Sequence, residues 1–464
     1  MAFLYEIREM LTIFENNLHQ FKLIKMIIQN TIEETLTAID KEILNGENHD
    51  KREFVRKILN YPAMMVPSVQ ESIIKAILTF LPENRSLIDP FMGAANSLVA
   101  GMKYGFNVYG QDINPLSILI SQVKTADYNI QELNDALTRI KLFVENDDSN
   151  SVDVNFKNIT KWFKLEVQQE LSKLRRAILS EQDLYIRKFY WVALAEVIRN
   201  CSNDRTSTFK MHIRTIEDIQ NRKIFPIITF INLSKKSIAD IEDFRNSLEK
   251  ENLLENGKYI KSSEVKWGNS MQKVLTEEKF QLLLTSPPYG DNHTTVTYGQ
   301  FSYLPLQWIP VDQIDETITL DYLKVINEID SNSLGGKNLV SSKELEDKLF
   351  PKSKTLKEYF NFLTPDERNK ARKVLNFIND LDITIDNVLE KMDINSYHVW
   401  TIGNRNVNNK EVKNDKILTE LLESKGLFLV TDLTRDILSK RMPGRNNFSD
   451  TMNKEKILIF NKPF

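Results

Sequence analysis

Several residue types are scarce in this 464-residue chain, and their scarcity excludes whole classes of protein. There is one cysteine, Cys201, so no internal disulfide can form and a secreted disulfide scaffold is excluded. No apolar run reaches the roughly 18 residues that a membrane span requires, so we expect no membrane partner. The first residues carry Glu6 and Glu9 and lack the apolar core of a secretory signal, which leads us to expect a cytoplasmic protein.

Charge of one sign is not in excess either. The formal net charge is −3, with 27% charged and 41% hydrophobic residues, which is typical of a soluble globular protein. The chain therefore has no global attraction to nucleic acid, and any such binding must come from local basic patches. The five histidines are scattered without metal-ligand spacing, so we expect no metal.

Glycine and proline number only 14 each, and their placement divides the chain. No glycine lies between Gly110 and Gly257, and so long a stretch without glycine favours helices over turns and hairpins. Helical spacing of apolar residues over 162–179 supports this interpretation. We therefore predict a helical insertion over 121–260, which is a candidate DNA-binding unit, and a helical N-terminal region over 1–60.

Short runs rich in β-branched and aromatic residues lie on both sides of the glycine-free region. The first two runs flank a helix-compatible segment and predict a right-handed β–α–β unit. The last two are close in sequence and predict an antiparallel pair at one end of a sheet. The expected fold class is α/β, with a doubly wound sheet interrupted by a helical insertion. The strand-like runs are 85–90, 106–112, 280–288, 397–403, 426–434 and 456–462.

The first chemical signal follows the first of these runs, in LIDPFMGAANSLVAGMKYGFNVYGQDINP. Gly93 lets the backbone approach a ligand, and Asp112 ends the next strand, 23 residues after Asp89. An acid at this position can accept hydrogen bonds from the ribose hydroxyls of a nucleoside. Alanines follow Gly93 where a pyrophosphate cradle would have more glycine, so an adenosine ligand without phosphates fits better than a dinucleotide. The alternative is a plain strand-to-helix turn.

A more specific signal is the run Thr285-Ser286-Pro287-Pro288-Tyr289 at the end of a buried strand. Two consecutive prolines lack N–H donors and have fixed φ angles, so their carbonyls are held in defined directions. The serine hydroxyl and a proline carbonyl then form two acceptors for an NH₂ group, and the tyrosine offers a flat face on which a base can stack. The alternative is a proline-rich turn that only ends a strand.

These segments resemble the amino-group DNA methyltransferases, a family that uses S-adenosylmethionine. The run 285–289 is similar to the (Asp/Asn/Ser)-Pro-Pro-(Tyr/Phe) motif of that family, and 89–93 is similar to its Asp-Pro-Phe-x-Gly cofactor loop. Segments 61–67 and 110–115 resemble the parts that hold the methionine end of the cofactor and its ribose. The motifs occur in the order that places the cofactor loop first.

The resemblance implies a mostly parallel, seven-stranded Rossmann-like sheet formed by 61–120 and 261–464, with a target-recognition insert over 311–395. It assigns catalysis to the second loop, with Ser286, Pro287, Pro288 and Tyr289. It assigns cofactor binding to Pro62, Ala63, Met64, Asp89, Phe91, Gly93, Asp112, Ile113, Asn269 and Thr285. Two positions depart from the family pattern: Ala95 stands where a second glycine is common, and Asn269 stands in a segment where many relatives carry Gly-Asp.

The resemblance also narrows the chemistry. Thr-Ser-Pro-Pro-Tyr is the variant usual in cytosine-N4 enzymes, whereas adenine-N6 enzymes more often have Asp at the position of Ser286. A carbon-5 cytosine methylase is excluded because it needs a Pro-Cys nucleophile, and no proline precedes Cys201. We expect a site-specific DNA cytosine-N4 methyltransferase of a restriction-modification system, acting on a base flipped out of double-stranded DNA. A cognate restriction endonuclease acting on the same site is an expected partner.

Three alternatives remain open at this point. The first is adenine-N6 methylation of DNA by the same loop. The second is a DNA-binding subunit with an inactive methylase domain, and the third is methylation of structured RNA, whose motif more often begins with Asn.

Two local basic clusters supply the DNA affinity that the net charge lacks. The run 205–214 carries three positive charges and no acid, and the run 434–445 carries four against Asp436 alone. Each phosphate contact would add affinity and salt dependence. The alternative for each cluster is a solvated protein face. The DNA-binding candidates are Arg205, Lys210, Arg214, Arg435, Lys440 and Arg441.

Overall fold

The computed structural model of the protein describes residues 31–47, 55, 58–206, 209–319, 324–337, 339–437 and 454–463. Within the predicted N-terminal helical region, residues 31–37 are helical and a short helix follows, while 1–30 lie outside the described residues. Two of the DNA-binding candidates, Lys440 and Arg441, also lie outside them.

Seven strands form the main sheet, and four short ones form two hairpins. The strands of the sheet are β1 (Ser86–Asp89), β2 (Asn107–Asp112), β5 (Ser263–Trp267), β6 (Phe280–Thr285), β7 (Met392–Ile402), β10 (Phe428–Asp436) and β11 (Lys454–Lys462). The hairpins pair β3 (Leu254–Glu255) with β4 (Lys258–Tyr259), and β8 (Arg405–Val407) with β9 (Lys410–Val412).

The sheet has the order β10-β11-β7-β6-β1-β2-β5. The five strands from β7 to β5 are parallel, whereas β11 is antiparallel to both of its neighbours. These pairings confirm the predicted α/β class, the parallel β–α–β unit at the start and the antiparallel pair at one end.

The helices connect and cover these strands. In chain order they are α1 (Lys41–Asn45), α2 (Pro67–Leu78), α3 (Asn96–Lys103), α4 (Pro115–Thr125), α5 (Ile130–Asn146), α6 (Ile159–Trp162), α7 (Leu165–Ser180), α8 (Leu184–Cys201), α9 (Ile216–Asn221), α10 (Pro226–Lys250), α11 (Tyr298–Trp308), α12 (Glu328–Asn332), α13 (Ser342–Leu349), α14 (Lys354–Asn361), α15 (Pro365–Leu389) and α16 (Asn414–Glu423).

Strands β1 and β6, near the centre of the sheet, are buried on both faces, as parallel strands covered by helices usually are. Successive side chains point to opposite faces. Leu87 and Leu282 accordingly pack into one hydrophobic cluster, and Ile88 and Leu283 pack into a second cluster on the other face. The first cluster also includes most of α8, and the second includes the buried residues of α15 and α16.

The glycine-free region forms helices α4 to α10 over most of its length. Its central helix, α8, has aromatic and aliphatic side chains on every face, and Phe189, Tyr190, Trp191 and Leu194 are completely buried. These side chains share one hydrophobic cluster with β1, β2 and α3. The helices over 121–260 therefore share the hydrophobic core on one face of the sheet, where α8 packs against α4 and α4 in turn covers β2 and β5.

Candidate active site

The order of the sheet creates a crevice next to β1. Chain connections leave β1 toward β2 on one side, whereas β6 flanks it on the other side. Ligands of open α/β sheets bind at the carboxyl ends of the strands where the order reverses in this way. Both motif loops begin there, one after Asp89 and the other after Thr285.

A cavity that is open to solvent lies between the two loops. Most of the residues expected to bind a cofactor line it, and so do two of the four expected to be catalytic. The predicted residues that line it are Pro62, Ala63, Met64, Phe91, Gly93, Asp112, Ile113, Asn269, Ser286 and Pro288. Asp89, Thr285, Pro287 and Tyr289 are not part of its lining.

Asp89 lies beneath the cavity and is completely buried. One carboxylate oxygen accepts hydrogen bonds from the Phe91 N–H at 3.0 Å and from Thr285 Oγ1 at 2.6 Å. The other accepts from the hydroxyl of Ser97 in the first turn of α3. Burial, assisted by the nearby charge of Asp112, raises the pKa of Asp89 to about 6. Asp89 and Thr285 thus connect the two loops to each other.

Asp112 ends β2 and lies at the wall of the cavity. Its carboxylate accepts from the Gly93 N–H at 3.0 Å and from the Asn114 N–H at 2.8 Å. Burial raises the pKa of Asp112 to about 6. Gly93 has a φ of +50°, in the left-handed region that glycine tolerates best. This carboxylate therefore anchors the glycine loop and still borders the space where a ligand would lie.

Ala95, at the position where the related family often has glycine, also adopts the left-handed conformation, with a φ of +57°. Its peptide N–H bonds to the Met92 carbonyl at 2.8 Å, which closes the turn before α3. The turn keeps the backbone shape that glycine would give, although a side chain is present. The departure at Ala95 thus changes the residue without straightening the loop.

Asn269 lines the opposite part of the cavity, in the turn after β5. Its side-chain oxygen accepts from the Met271 N–H at 3.0 Å, and its amide donates to the Asn332 carbonyl at 3.2 Å. The neighbouring Ser270 donates to the Pro90 carbonyl at 2.7 Å. An amide has two N–H groups and two lone pairs, so Asn269 retains capacity for a ligand.

An aromatic wall closes one side of the cavity. The rings of Tyr61 and Tyr298 are stacked with centroids 5.8 Å apart, and Phe301 meets Tyr61 edge to face at 5.6 Å. Asn114, which caps α4, donates to the Tyr61 hydroxyl at 2.9 Å and to Ser302 at 2.7 Å. Sequence analysis did not identify Asn114 as a site residue. Its position before a proline at the start of a helix is only a capping signal.

The loop after β6 is held from the side opposite the cavity. Asn414 donates to the Tyr289 carbonyl at 3.0 Å, and the buried ion pair between Asp291 and Arg405 spans 3.2 Å. A side chain at Gly290 would meet the Arg405 guanidinium, which would have to move to accommodate it. These contacts fix the loop while leaving Ser286 and Pro288 at the cavity wall.

Tyr289 is held through its hydroxyl. That hydroxyl lies 3.3 Å from Ser286 Oγ and donates to Glu455 Oε1 at 3.1 Å. Arg435, expected from sequence to contact DNA, is only 7% exposed, and its guanidinium lies 3.4 Å from Glu455 Oε2. The charge of Arg435 is therefore directed into the protein, toward the loop after β6. Glu455 is a site residue that sequence analysis missed.

The other basic cluster lies at the surface. Arg205 and Lys210 are exposed. Arg214 is less exposed, because its guanidinium donates to the Asp204 carbonyl at 2.9 Å and forms an ion pair with Asp218 at 3.1 Å. The structure thus exposes Arg205 and Lys210 more than Arg214.

This surface loop adjoins the aromatic wall of the cavity. The Met211 N–H donates to the side chain of Gln300 at 3.1 Å, and the ring of Phe209 lies 6.3 Å from that of Phe301. Both contacted residues belong to α11, whose first residue, Tyr298, lines the cavity. The exposed cations therefore lie on a loop that packs against the helix bordering the site.

Comparison with known proteins identifies the family to which this arrangement belongs. The chain is 32% identical over 439 residues to the type II methyltransferase M.MvaI of Kocuria varians, a match that covers 90% of this chain and 94% of that protein. This chain belongs to the type II methyltransferase family. It is also 30% identical over 164 residues to the type II methyltransferase M.MjaII of Methanocaldococcus jannaschii, covering 33% of this chain and 30% of that protein.

Two other comparisons add little to this assignment. No protein-family model matches the chain. Among solved structures, the rRNA methyltransferase AviRa of Streptomyces viridochromogenes aligns over 90% of this chain and 94% of its own, with 8% identity and a TM-score of 0.32. That likeness is too weak to support an argument about this methyltransferase.

The described part of the chain brings together no three histidine, cysteine or carboxylate side chains that could hold a metal ion. None of its helices is both long enough and apolar enough to cross a membrane.

The buried carboxylate of Asp89 makes the stability of this methyltransferase depend on pH. Its pKa in the folded protein, about 6, lies above the ordinary value of 3.8, so folding favours the protonated form. The stability that this group contributes is present below pH 4 and is lost as pH rises toward 6. Relative to an Asp89→Asn variant, the wild-type free energy of unfolding should fall by up to about 1.4 kcal/mol per pH unit in that window.

Urea denaturation of both proteins at pH 4, 5, 6 and 7 measures this difference. Taking the difference between the two proteins cancels the titration of carboxylates that they share. A difference that stays constant from pH 4 to 6 would contradict the raised pKa.

Proposed function

We propose that this methyltransferase is a site-specific DNA enzyme that moves a methyl group from S-adenosylmethionine to the exocyclic N4 amine of cytosine. The observation that carries the proposal is that one cavity is lined both by Asp112 and Gly93 and by Ser286. The first two suit a nucleoside cofactor, and the third suits an amine. The proximity of donor and acceptor sites is what a direct methyl transfer requires.

S-adenosylmethionine fits the groups that line the cavity. Asp112 can accept hydrogen bonds from the ribose hydroxyls, and Asn269 can bond to the adenine edge. Met64 and Phe91 offer apolar contacts, and the stacked tyrosines enclose one side. When bound, the cofactor supplies an electrophilic methyl group on a sulfonium sulfur. The site needs no metal for this chemistry.

The residues of the second loop would position the amine. An exocyclic amine is a weak nucleophile because its lone pair is delocalised into the ring. Ser286 Oγ and the Pro287 carbonyl would accept its two N–H bonds, so that the nitrogen lone pair faces the methyl group. This is catalysis by orientation and electrostatics, without a covalent intermediate on the protein.

Cytosine is proposed over adenine because serine, rather than aspartate, begins the Pro-Pro-Tyr motif. The target base must leave the duplex to reach a cavity at the sheet edge. Tyr298 lines that cavity and offers a ring for stacking, whereas Tyr289 lies outside the lining. A restriction endonuclease that cuts the same sequence would be the natural partner of such an enzyme.

DNA binding is proposed for the exposed loop that carries Arg205 and Lys210. The net charge of −3 offers no general attraction to DNA, so the positive charges near the cavity matter most. This loop packs against the helix that begins at Tyr298, a residue that lines the cavity, and this contact supports a role for its cations in binding DNA near the site.

Nucleoside mass spectrometry of mixed-sequence DNA incubated with the protein and methyl-labelled S-adenosylmethionine tests the proposed reaction. We expect labelled N4-methylcytosine, and sequencing of the modified DNA should place it in one short motif. Labelled N6-methyladenine would assign the loop to adenine instead. Cofactor binding without any label in DNA would indicate an inactive methylase domain, and label in structured RNA alone would indicate an RNA enzyme.

Asp112→Ala should weaken the cofactor complex far more than the DNA complex. The variant loses a charge-assisted hydrogen bond to ribose, which is worth about 1.5–3 kcal/mol. Titration calorimetry with S-adenosylhomocysteine measures the loss. Asp432→Asn, which changes an exposed acid on β10, serves as the control. Unchanged affinity in Asp112→Ala would exclude this carboxylate from the cofactor site.

Replacing Arg205 and Lys210 by Ala should lower DNA affinity and reduce the slope of its salt dependence by about two phosphate contacts. Arg214→Ala should change that slope less, because Arg214 already pairs with Asp218. The slopes are measured by fluorescence anisotropy of a labelled DNA duplex at salt concentrations from roughly 50 to 200 mM. An unchanged slope in the folded double variant would show that this loop is a solvated surface that does not contact DNA.

A further inference from the structure

The Tyr289 hydroxyl lies between Glu455 Oε1 and Ser286 Oγ. This position fixes which group donates and which accepts in each of the two hydrogen bonds. On one side it donates to Glu455 Oε1 at 3.1 Å. On the other side Ser286 Oγ lies at 3.3 Å. A tyrosine hydroxyl has a single proton, and a carboxylate can only accept. Once Tyr289 donates to Glu455, it can only accept from Ser286.

The same count applies to Ser286. Its hydroxyl also has one proton, which it donates to Tyr289. Toward any other group, Ser286 Oγ can then only accept a hydrogen bond through its lone pairs. An oxygen that only accepts is what an incoming NH₂ group needs. We infer that Glu455 is a positioning residue which, through Tyr289, turns the Ser286 hydroxyl into an obligate acceptor for the amine of the target base.

The surroundings of Glu455 suit this role. Its side chain is 16% exposed, and its second oxygen faces the Arg435 guanidinium, which is 9% exposed, at 3.4 Å. The two residues are direct partners in the antiparallel pair of β10 and β11, so the sheet itself holds them together. Burial and the charge of Glu455 raise the pKa of Tyr289 well above its ordinary value, and the hydroxyl keeps its proton.

The inference rests on the proposed function in one respect, because it needs an amine as methyl acceptor. It does not depend on which base carries that amine, since the exocyclic groups of cytosine and adenine both present two N–H bonds. A product of N6-methyladenine would therefore overturn the proposed cytosine specificity and leave this inference standing.

A double-mutant cycle on methyl transfer tests it. Glu455→Gln keeps the shape of the side chain but can donate as well as accept, and Tyr289→Phe keeps the ring but removes the link. Each single variant should lower kcat by about tenfold, which corresponds to an increase of roughly 1.4 kcal/mol in the activation free energy. The KM values for DNA and for the cofactor should stay within about twofold of wild type. In the Tyr289→Phe background, Glu455→Gln should have no further effect.

Asp432→Asn is the matched control, because it changes an acid on β10, the strand paired with the one that carries Glu455, and this acid pairs with Lys456 and not with the loop after β6. It should leave kcat unchanged. Independent, multiplicative effects of Glu455→Gln and Tyr289→Phe would overturn the inference, as would an unchanged kcat in Glu455→Gln. A rise in KM with unchanged kcat would overturn it too.

If Glu455→Gln does not fold, a second double-mutant cycle, on Ser286 and Tyr289, tests the inference. Ser286→Ala removes the oxygen that Tyr289 orients, so Tyr289→Phe should cost nothing further in that background. A full additional loss there would show that Tyr289 acts through another contact, and the inference would fail.

Discussion

The site depends on the buried carboxylate of Asp89. Burying an ionisable group without partners is costly, and here the cost is offset by three donors that come from different parts of the chain. They are the Phe91 N–H in the first loop, the Ser97 hydroxyl in α3 and the Thr285 hydroxyl at the end of β6. Because Asp89 and Thr285 are 196 positions apart, this one group fixes how two distant loops face each other.

The cavity inherits its shape from that connection. The ends of β1 and β6 are held together. From there the glycine loop bends toward Asp112, and the proline loop places Ser286 at the cavity wall. Contacts made by Asn414, Arg405 and Glu455 brace the proline loop from behind. The proline loop is therefore held by residues that do not line the cavity, whereas the glycine loop is anchored by Asp112, which does.

Much of this arrangement could be predicted from the sequence, because the signals are local. The strand-like runs, the glycine turn and the Ser-Pro-Pro-Tyr loop each lie within a few residues, and the sequence also predicted a parallel β–α–β unit and an antiparallel pair at one end of the sheet. The parallel sheet then brings Asp112 and Ser286 to one edge, since the carboxyl ends of its strands meet there.

The remainder depends on contacts that no local pattern records. Glu455 lies 166 positions from Tyr289, and nothing in its own segment marks it. A charge cluster in sequence looks the same whether its members face solvent or a buried carboxylate. Arg435 is of the second kind, and Arg214 is of an intermediate kind. Asp89 matched a cofactor motif, but the structure gives it donors from the protein itself.

In the proposed reaction, one cavity holds the methyl donor with its reactive end toward Ser286. A crystal structure of the protein with S-adenosylhomocysteine tests it most directly. We expect the ribose hydroxyls within hydrogen-bond distance of the Asp112 carboxylate, with the sulfur facing Ser286 across the space left for a base. A ligand bound outside this cavity, or one whose adenine fills the space beside Ser286, would contradict the claim.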